Sequence, residues 1–307
     1  MADCKFGLIG TVTYDIISYE SGQTFQGLGG VLYQAAFLCG LGQQVYLYTN
    51  LGKDLAKDVE ALTKDWLTLH REGIKFVPGP GNRVNLHYPE KGERVEILES
   101  VVPPLDPEPI IPDLPKLAML LLIINSGFDI ELEDWRRIVR SSTCPIWLDI
   151  HSLPLEKKLG LPREYRSLAE WREWTEGVDY LQANRKEVAL MLGLSQRLPT
   201  EDEITDFSQE TFRIGVKALF VTLGKEGAFV LSPETSKKIR SPEIGAIVDT
   251  TGCGDVFCAA TAAKLARGIP AFEAASFGIH LASKAATISG IGETYHLALS
   301  SKKELGA

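Results

Sequence analysis

The sequence predicts an α/β protein: a doubly wound, mostly parallel sheet flanked by helices, with a small β-sheet lid beside it. Three observations carry that expectation. Short apolar runs with the length and composition of buried strands recur at 6–9, 45–49, 119–124, 146–148, 180–182, 219–222 and 228–231. Stretches of helical character lie between many of them, at 33–41, 55–72, 132–139, 186–192 and 255–267, and such alternation favours parallel strands covered on both faces. Two segments break the alternation, near 14–27 and 83–99. Both read as short amphipathic strands around glycine-containing turns, the second folding back over 90–93. A small sheet over the carboxyl ends of a parallel sheet would act as a lid, which matters where chemistry needs shielding from water. No repeat or low-complexity segment divides the 307 residues, so one domain over 1–307 is expected, with the lid strands inserted. The proline-rich stretch 101–115 reads as a surface connection.

Composition narrows the function classes. Hydrophobic residues make up 45% and charged residues 23%, the balance of an ordinary globular protein with a substantial core. The net charge of -8, with no basic run to offset it, argues against nucleic acid as a partner. The longest apolar stretch, LAMLLLIIN from Leu117, is too short to span a bilayer, so no membrane is expected either. The five cysteines form no CxxC pair and suggest neither a disulfide framework nor a zinc site. The beginning, MADCKFGLIG, does not resemble a signal peptide, and a cytoplasmic location is expected.

The stretch DTTGCGDVF, residues 249–257, carries the chemistry. It reads as the turn between a strand ending at Val248 and a helix rich in alanine. Successive glycines let backbone N–H groups converge, and a helix N-terminus adds partial positive charge, so such a turn suits an anion. Asp255 beside it can take a proton from a hydroxyl attacking that anion. The plainer reading is a tight turn with Asp255 as a cap. A Walker loop is absent, and GLGGVL at Gly27 fails the dinucleotide pattern at its last position.

DTTGCGDVF closely resembles the C-terminal signature of ribokinase-like carbohydrate kinases (the PfkB family), with Cys253 where alanine is usual. ANRKEVALMLG is similar to the family's Asn-x-x-Glu element, here Asn184 and Glu187. VTLGKEGAFVL is similar to its nucleotide-proximal strand–turn–strand, with Thr222, Gly224 and Gly227. GLIGTVTYD resembles the first strand leading to an acceptor-binding aspartate, Asp15. GLGGVLYQAAFLCGLG resembles the Gly-Gly helix entry, and LYTNLGKD the strand after it. These elements follow the family's order over nearly the whole chain.

The resemblance implies a ribokinase-like fold and an ATP-dependent phosphotransferase acting on a hydroxyl of a small sugar or polyol. It implies Asp255 as general base and Gly252, Cys253 and Gly254 as the anion hole. Asn184, Thr222, Gly224 and Gly227 would meet the nucleotide; Asp15, Gly29, Gly30, Tyr33 and Gln34 would meet the acceptor. Glu187 would act on Mg2+ through water, and Asp249 with Thr251 would hold a monovalent cation, with K+ as a further expected cofactor beside ATP. A homodimer formed through the lid is a possible assembly. The sequence also departs from the family. Tyr33 and Gln34 stand where an asparagine usually contacts sugar hydroxyls, and WLDIHSLPL keeps Asp149 but loses an arginine. FGIHLASKAATISGIG lacks the asparagine often found beside the adenine. Both ligand pockets are therefore expected to be altered, which makes ribose a poor candidate acceptor. A nucleoside or vitamin-like heterocycle kinase of the same fold, and a catalytically silent binding protein, remain as alternatives.

Overall fold

The computed structural model describes residues 3–90 and 94–306. The chain opens with β1 (Lys5–Ile9), whose apolar residues sit at the centre of the main sheet. It crosses into the lid as β2 (Val12–Tyr19) and β3 (Thr24–Gly30), then returns through α1 (Leu32–Gly40) to β4 (Gln44–Gly52). After α2 (Ala56–Thr63), β5 (Leu69–His70) and β6 (Ile74–Val77), the lid is completed by β7 (Asn82–Tyr88) and β8 (Val95–Ser100). The main sheet resumes with β9 (Met119–Ile123), α3 (Leu132–Ser141), β10 (Ile146–Asp149), α4 (Trp171–Thr175), β11 (Tyr180–Asn184) and α5 (Arg185–Met191). Then follow α6 (Glu201–Arg213), β12 (Ala218–Thr222), β13 (Ala228–Ser232), β14 (Thr235–Ile239), α7 (Cys253–Leu265), α8 (Ala271–Ala285) and α9 (Ile291–Ser301).

The main sheet runs β14-β13-β12-β11-β10-β9-β1-β4-β5, with β6 also paired to β4, and it is parallel from β12 to β5. Alternate strand residues bury on opposite faces. On β9, Met119, Leu121 and Ile123 pack with Phe37, Phe220 and Phe257, while Leu120 and Leu122 pack with Trp135, Trp171 and Phe207. All five tryptophans are packing residues of this core. The separate lid sheet runs β3-β2-β7-β8 around a small cluster of Ile17, Val84, Leu86 and Leu98.

The expected architecture is present, with local corrections. The run at 228–231 is an antiparallel strand, because the short turn after β12 can make a hairpin but not a crossover. The helix expected over 55–72 stops at Thr63; Trp66 turns inward and Leu69–His70 joins the sheet edge. The proline-rich stretch is not purely superficial, since Leu105, Ile110 and Leu114 are buried. The lid turn expected over 90–93 falls at 91–93 outside the described residues, although the strands it would join are paired antiparallel.

The lid is tied to the body along β8. Gly160 N–H donates to the Leu98 carbonyl and Arg163 N–H to the Glu96 carbonyl, each at 2.9 Å. The buried Arg163 guanidinium then reaches the Glu96 carboxylate at 2.7 Å and the Ser126 carbonyl at 2.8 Å.

Helix α7 is fixed from behind by α8. A Cβ on Gly278 would come within 2.1 Å of Thr261 Oγ1 and 3.0 Å of Phe257. Gly278→Ala should therefore force the two helices apart and lower unfolding free energy by about 1–3 kcal/mol, the usual cost of overpacking. Urea denaturation followed by circular dichroism checks this; an unchanged midpoint would mean that the contact has slack.

Candidate active site

The carboxyl ends of β1, β9, β10, β11 and β12 open onto one cleft, the position where doubly wound sheets bind ligands. The lid strands wall its other side. Its lining includes Thr13, Asp15, Gly30 and Tyr33, then Asp149, Gln182, Asn184 and Glu187, and finally Thr222, Thr251, Gly252, Gly254 and Asp255. At about 300 Å³ it has room for a small molecule. Sheet register does much of the assembly: Asp149 pairs beside Gln182, and Asn184 beside Thr222.

The turn before α7 differs from the expectation in one respect. Residues 246–248 are not a strand; Ile247 and Val248 are 62% and 63% exposed, and no neighbouring strand pairs with them. The segment is anchored instead by Val248 N–H on the Ala286 carbonyl at 2.8 Å. The Asp249 carboxylate accepts from Thr251 N–H and Ser289 Oγ, each at 2.8 Å. Gly252 has φ +78°, and a Cβ there would lie 2.4 Å from the Tyr33 ring, so both backbone and space demand glycine. Helix α7 then begins at Cys253, slightly earlier than expected, with Asp255 in its first turn.

Two glutamines organise this turn. Gln34 is wholly buried, stands outside the cleft lining, and donates its side-chain amide to Asp255. Gln182 Nε2 donates to Asp149 Oδ2 at 2.8 Å and to the Gly254 carbonyl at 3.2 Å.

The Asn184–Glu187 pair is a capping box. Asn184 Oδ1 accepts from Glu187 N–H at 2.9 Å, while Glu187 accepts from both the backbone and side-chain amides of Asn184. Unlike a surface cap, Glu187 is buried and faces the cleft. Each of its oxygens accepts one hydrogen bond from Asn184. Among the described residues, no group of three or more His, Cys, Asp or Glu side chains could grip a metal directly.

Across the cleft, Asp15 projects from β2 beside Gly29; a Cβ on that glycine would sit 2.1 Å from Asp15 Oδ2. Gly30 has φ +64° and turns the chain into α1. Gly224 and Gly227, at φ +58° and +107°, shape the turn between β12 and β13 without lining the cleft. Asp249 and Cys253 likewise flank it. The cleft also contains His151, and Arg94, Glu96, Asn125 and Gln182, the last four not singled out by the sequence motifs as site residues. Arg94 and Glu96 lie on the lid's inward side, where Glu96 is buried and its neighbour Val95 exposed. That inverts the hydropathy signal of an amphipathic strand.

Burial dominates the carboxyl groups of the cleft, with Arg94 partly offsetting it at Asp15 and Glu187. Burial raises Asp149 to about 7 and Asp15 to about 6. Asp255 and Glu187 are pushed well above the carboxylate range, first by burial and then by the charge of Asp149. Donors oppose the rise: Gln34 at Asp255, Thr13 at Asp15 and the Asn184 backbone at Glu187. His151 lines the cleft as an exposed residue. It also has φ +24°, a strained backbone for a residue other than glycine.

Comparison with known proteins agrees with this architecture. A family model described as pfkB family carbohydrate kinase matches residues 160–296. A ribokinase of Arabidopsis thaliana is 26% identical over 290 residues, covering 90% of this chain and 71% of that protein. Among solved structures, Arabidopsis thaliana ribokinase complexed with ribose and ATP superposes with a TM-score of 0.74 at 20% identity, covering 98% of this chain and 99% of that one. A Burkholderia thailandensis nucleoside kinase in complex with inosine gives 0.71 at 16% identity, covering 94% of this chain and 92% of that one. The resemblance to ribokinase-like proteins of the PfkB family is thus borne out, and the fold is the ribokinase-like one. Among the described residues, no helix is long and apolar enough to cross a membrane.

The raised Asp149 implies a pH-dependent stability. Its folded value of about 7 exceeds the unfolded one, so between about pH 4 and 7 the native state binds the extra proton. Its contribution to stability therefore falls as pH rises through that window. Asp149→Asn removes the buried charge and should raise the urea midpoint more at pH 8 than at pH 5. An equal shift at both values would show that Asp149 titrates normally.

Proposed function

We propose that this ribokinase-like protein is an ATP-dependent kinase that transfers a phosphoryl group to a hydroxyl of a small sugar or polyol. The observation that carries the reading is the shared cleft. Asp255 lies directly after the Gly252–Gly254 turn, and Asp15 faces the same space from the lid.

In this mechanism Asp15, with Gly29, Gly30 and Tyr33 shaping its surroundings, orients the acceptor's hydroxyls. Asp255 takes the proton from the attacking hydroxyl, and its raised affinity for protons makes it a stronger base than an exposed aspartate. The backbone N–H groups of Gly252, Cys253 and Gly254, at the positive end of α7, stabilise the charge on the transferring group. Asn184, Thr222 and the Gly224–Gly227 turn hold the nucleotide. Mg2+ would neutralise phosphate charge, and Glu187 would hold the ion's water shell. Asp249 and Thr251 would hold a monovalent cation such as K+ behind the anion turn. The lid shields the reacting atoms from water. If two copies pair through the lid, β3 is the edge open to them, because residues 160–163 cover part of β8.

A second reading, a nucleoside or heterocycle kinase, is favoured by the apolar lid wall of Val84, Leu86 and Tyr88. A flat ring could pack there as readily as a sugar face.

The experiment is an ATP-dependent phosphorylation screen over pentoses, hexoses, inositols and nucleosides. Phosphorylation of one class identifies the acceptor; no product from any class would overturn the kinase reading. With the acceptor known, Asp255→Asn should retain nucleotide binding and lower kcat by about 10²–10⁴. Near-normal turnover would remove Asp255 as base.

Asp15→Ala should weaken acceptor use at least tenfold, roughly the loss of one charged hydrogen bond. ATP affinity should hardly change. Equal losses for ATP and acceptor would instead mean damage to the fold.

A further inference from the structure

Helix α1 brings Gln34 against the first turn of α7, although the two residues are far apart in sequence. The side chain of Gln34 is wholly buried, and its Nε2 donates to Asp255 Oδ1. Its other polar atom, Oε1, is buried without a hydrogen-bond partner among the described residues. A buried amide left half satisfied is costly, and such groups call for an explanation. The preceding residue, Tyr33, covers Gly252, so one turn of α1 contacts both the anion turn and the carboxylate that follows it.

We propose that Gln34 is a positioning residue for Asp255, holding its carboxylate ready to receive the proton and then stabilising the protonated form. The proposal rests on the kinase reading above and adds to it a residue that stands outside the cleft lining. With Asp255 ionised, the amide N–H₂ donates to it, as seen here. Once Asp255 has taken a proton, a half-turn of the amide presents Oε1 as the acceptor for the new carboxyl O–H. The oxygen then gains a partner while the N–H₂ gives up its own, so the ionised state is the better served of the two. The bond to the ionised carboxylate is charge-assisted and the stronger one, so losing the amide raises the proton affinity of Asp255; a hydrocarbon of the same length forms neither bond.

The surrounding charges give this hydrogen bond its consequence. Asp149 at the end of β10 and Asp15 on β2 both raise the proton affinity of Asp255, while Gln34 lowers it. Tyr33 on α1 and Cys253 and Cys258 on α7 also lie within electrostatic range, and each is itself raised above its ordinary value. Gln34 is thus the named side-chain donor that keeps the ionised base accessible against its acidic neighbours.

The test compares the native protein with Gln34→Met, which keeps volume and removes both polar atoms, and Gln34→Glu, which removes the donor and adds a carboxyl. Two readouts are used: the pH profile of kcat/KM with the acceptor found by the screen, and carboxyl ¹³C NMR titration of Asp255, identified by its loss in Asp255→Asn. Both variants should move the acid limb and the Asp255 titration upward by about one to two pH units, the size expected for one hydrogen bond to a charged group. Above the shifted limb, the Met variant should recover most of its rate, because the base is again ionised. Gln34→Asn, with its amide kept, should lie between native and Met. A merely structural role would lower the rate equally at every pH and leave the titration in place, and that result would overturn the proposal. The NMR arm needs no turnover, so it separates this inference from the kinase reading: a shifted titration without product would sustain the first and sink the second. If the Met variant does not fold, an unshifted titration in the Glu variant still overturns the assignment.

Discussion

Helix α7 can start where it does only because residue 252 has no side chain. Its φ of +78° suits glycine, and the Tyr33 ring occupies the place where a Cβ would stand. Much of the site depends on that close approach. It sets the direction in which the first N–H groups of α7 point, and it places Asp255 within reach of Gln34, the residue after Tyr33. Gln182 completes the arrangement from the sheet side, since its amide joins the Asp149 carboxylate to the Gly254 carbonyl. The first turn of α7 is therefore gripped between α1 and β11, and neither partner is a neighbour in sequence.

The second constraint is electrostatic. Asp15, Asp149, Glu187 and Asp255 share a cleft in which burial raises every one of them. Holding four raised carboxyl groups in one cleft costs folding energy and favours a cation or hydrogen-bond donors close by. Glu187 meets part of that cost within the chain, through the backbone and side-chain amides of Asn184. The cost is distributed differently on the lid, where one carboxylate, Glu96, is shared by Arg94 and Arg163.

How much of this could be read from the chain varies with the physics behind each part. The parallel strands were legible because strands buried on both faces must be continuously apolar, and β9 and β12 are. The turn at Gly252 and the helix start just before Asp255 were legible because paired glycines ahead of an alanine-rich run mark a turn into a helix. Ile247 and Val248 misled, since their apolar character has no neighbouring strand to satisfy and leaves them exposed. The helix over 55–72 was overextended because charge-rich residues after Thr63 keep helical propensity while Trp66 and Leu69 are drawn into the core. Gln34 was visible as a departure at an acceptor position. Its contact with Asp255 was not, because a side chain's direction depends on packing against an element more than 200 residues away. Arg94 and Glu96 had no periodic signal at all, as their strand turns a charge inward.

Those inward charges explain how the lid can have a defined relation to Asp255. Arg163 belongs to the segment after β10, yet it pairs with Glu96 and shares backbone hydrogen bonds with β8. A buried ion pair of this kind contributes little net stability, but breaking it strands a charge, so it selects one arrangement over others. Register transmits that choice. Glu96 lies opposite Leu86 on β7, and β7 pairs with β2 so that Val84 lies beside Asp15. The lid strands are thus a ruled surface fixed at one edge by Arg163, with Asp15 held two strands away from the clasp. The separation between Asp15 and Asp255 then follows from two buried anchors, Arg163 on the lid side and Gln34 on the body side. Asp15 and Asp255 line the same cleft because buried residues elsewhere hold each wall in place.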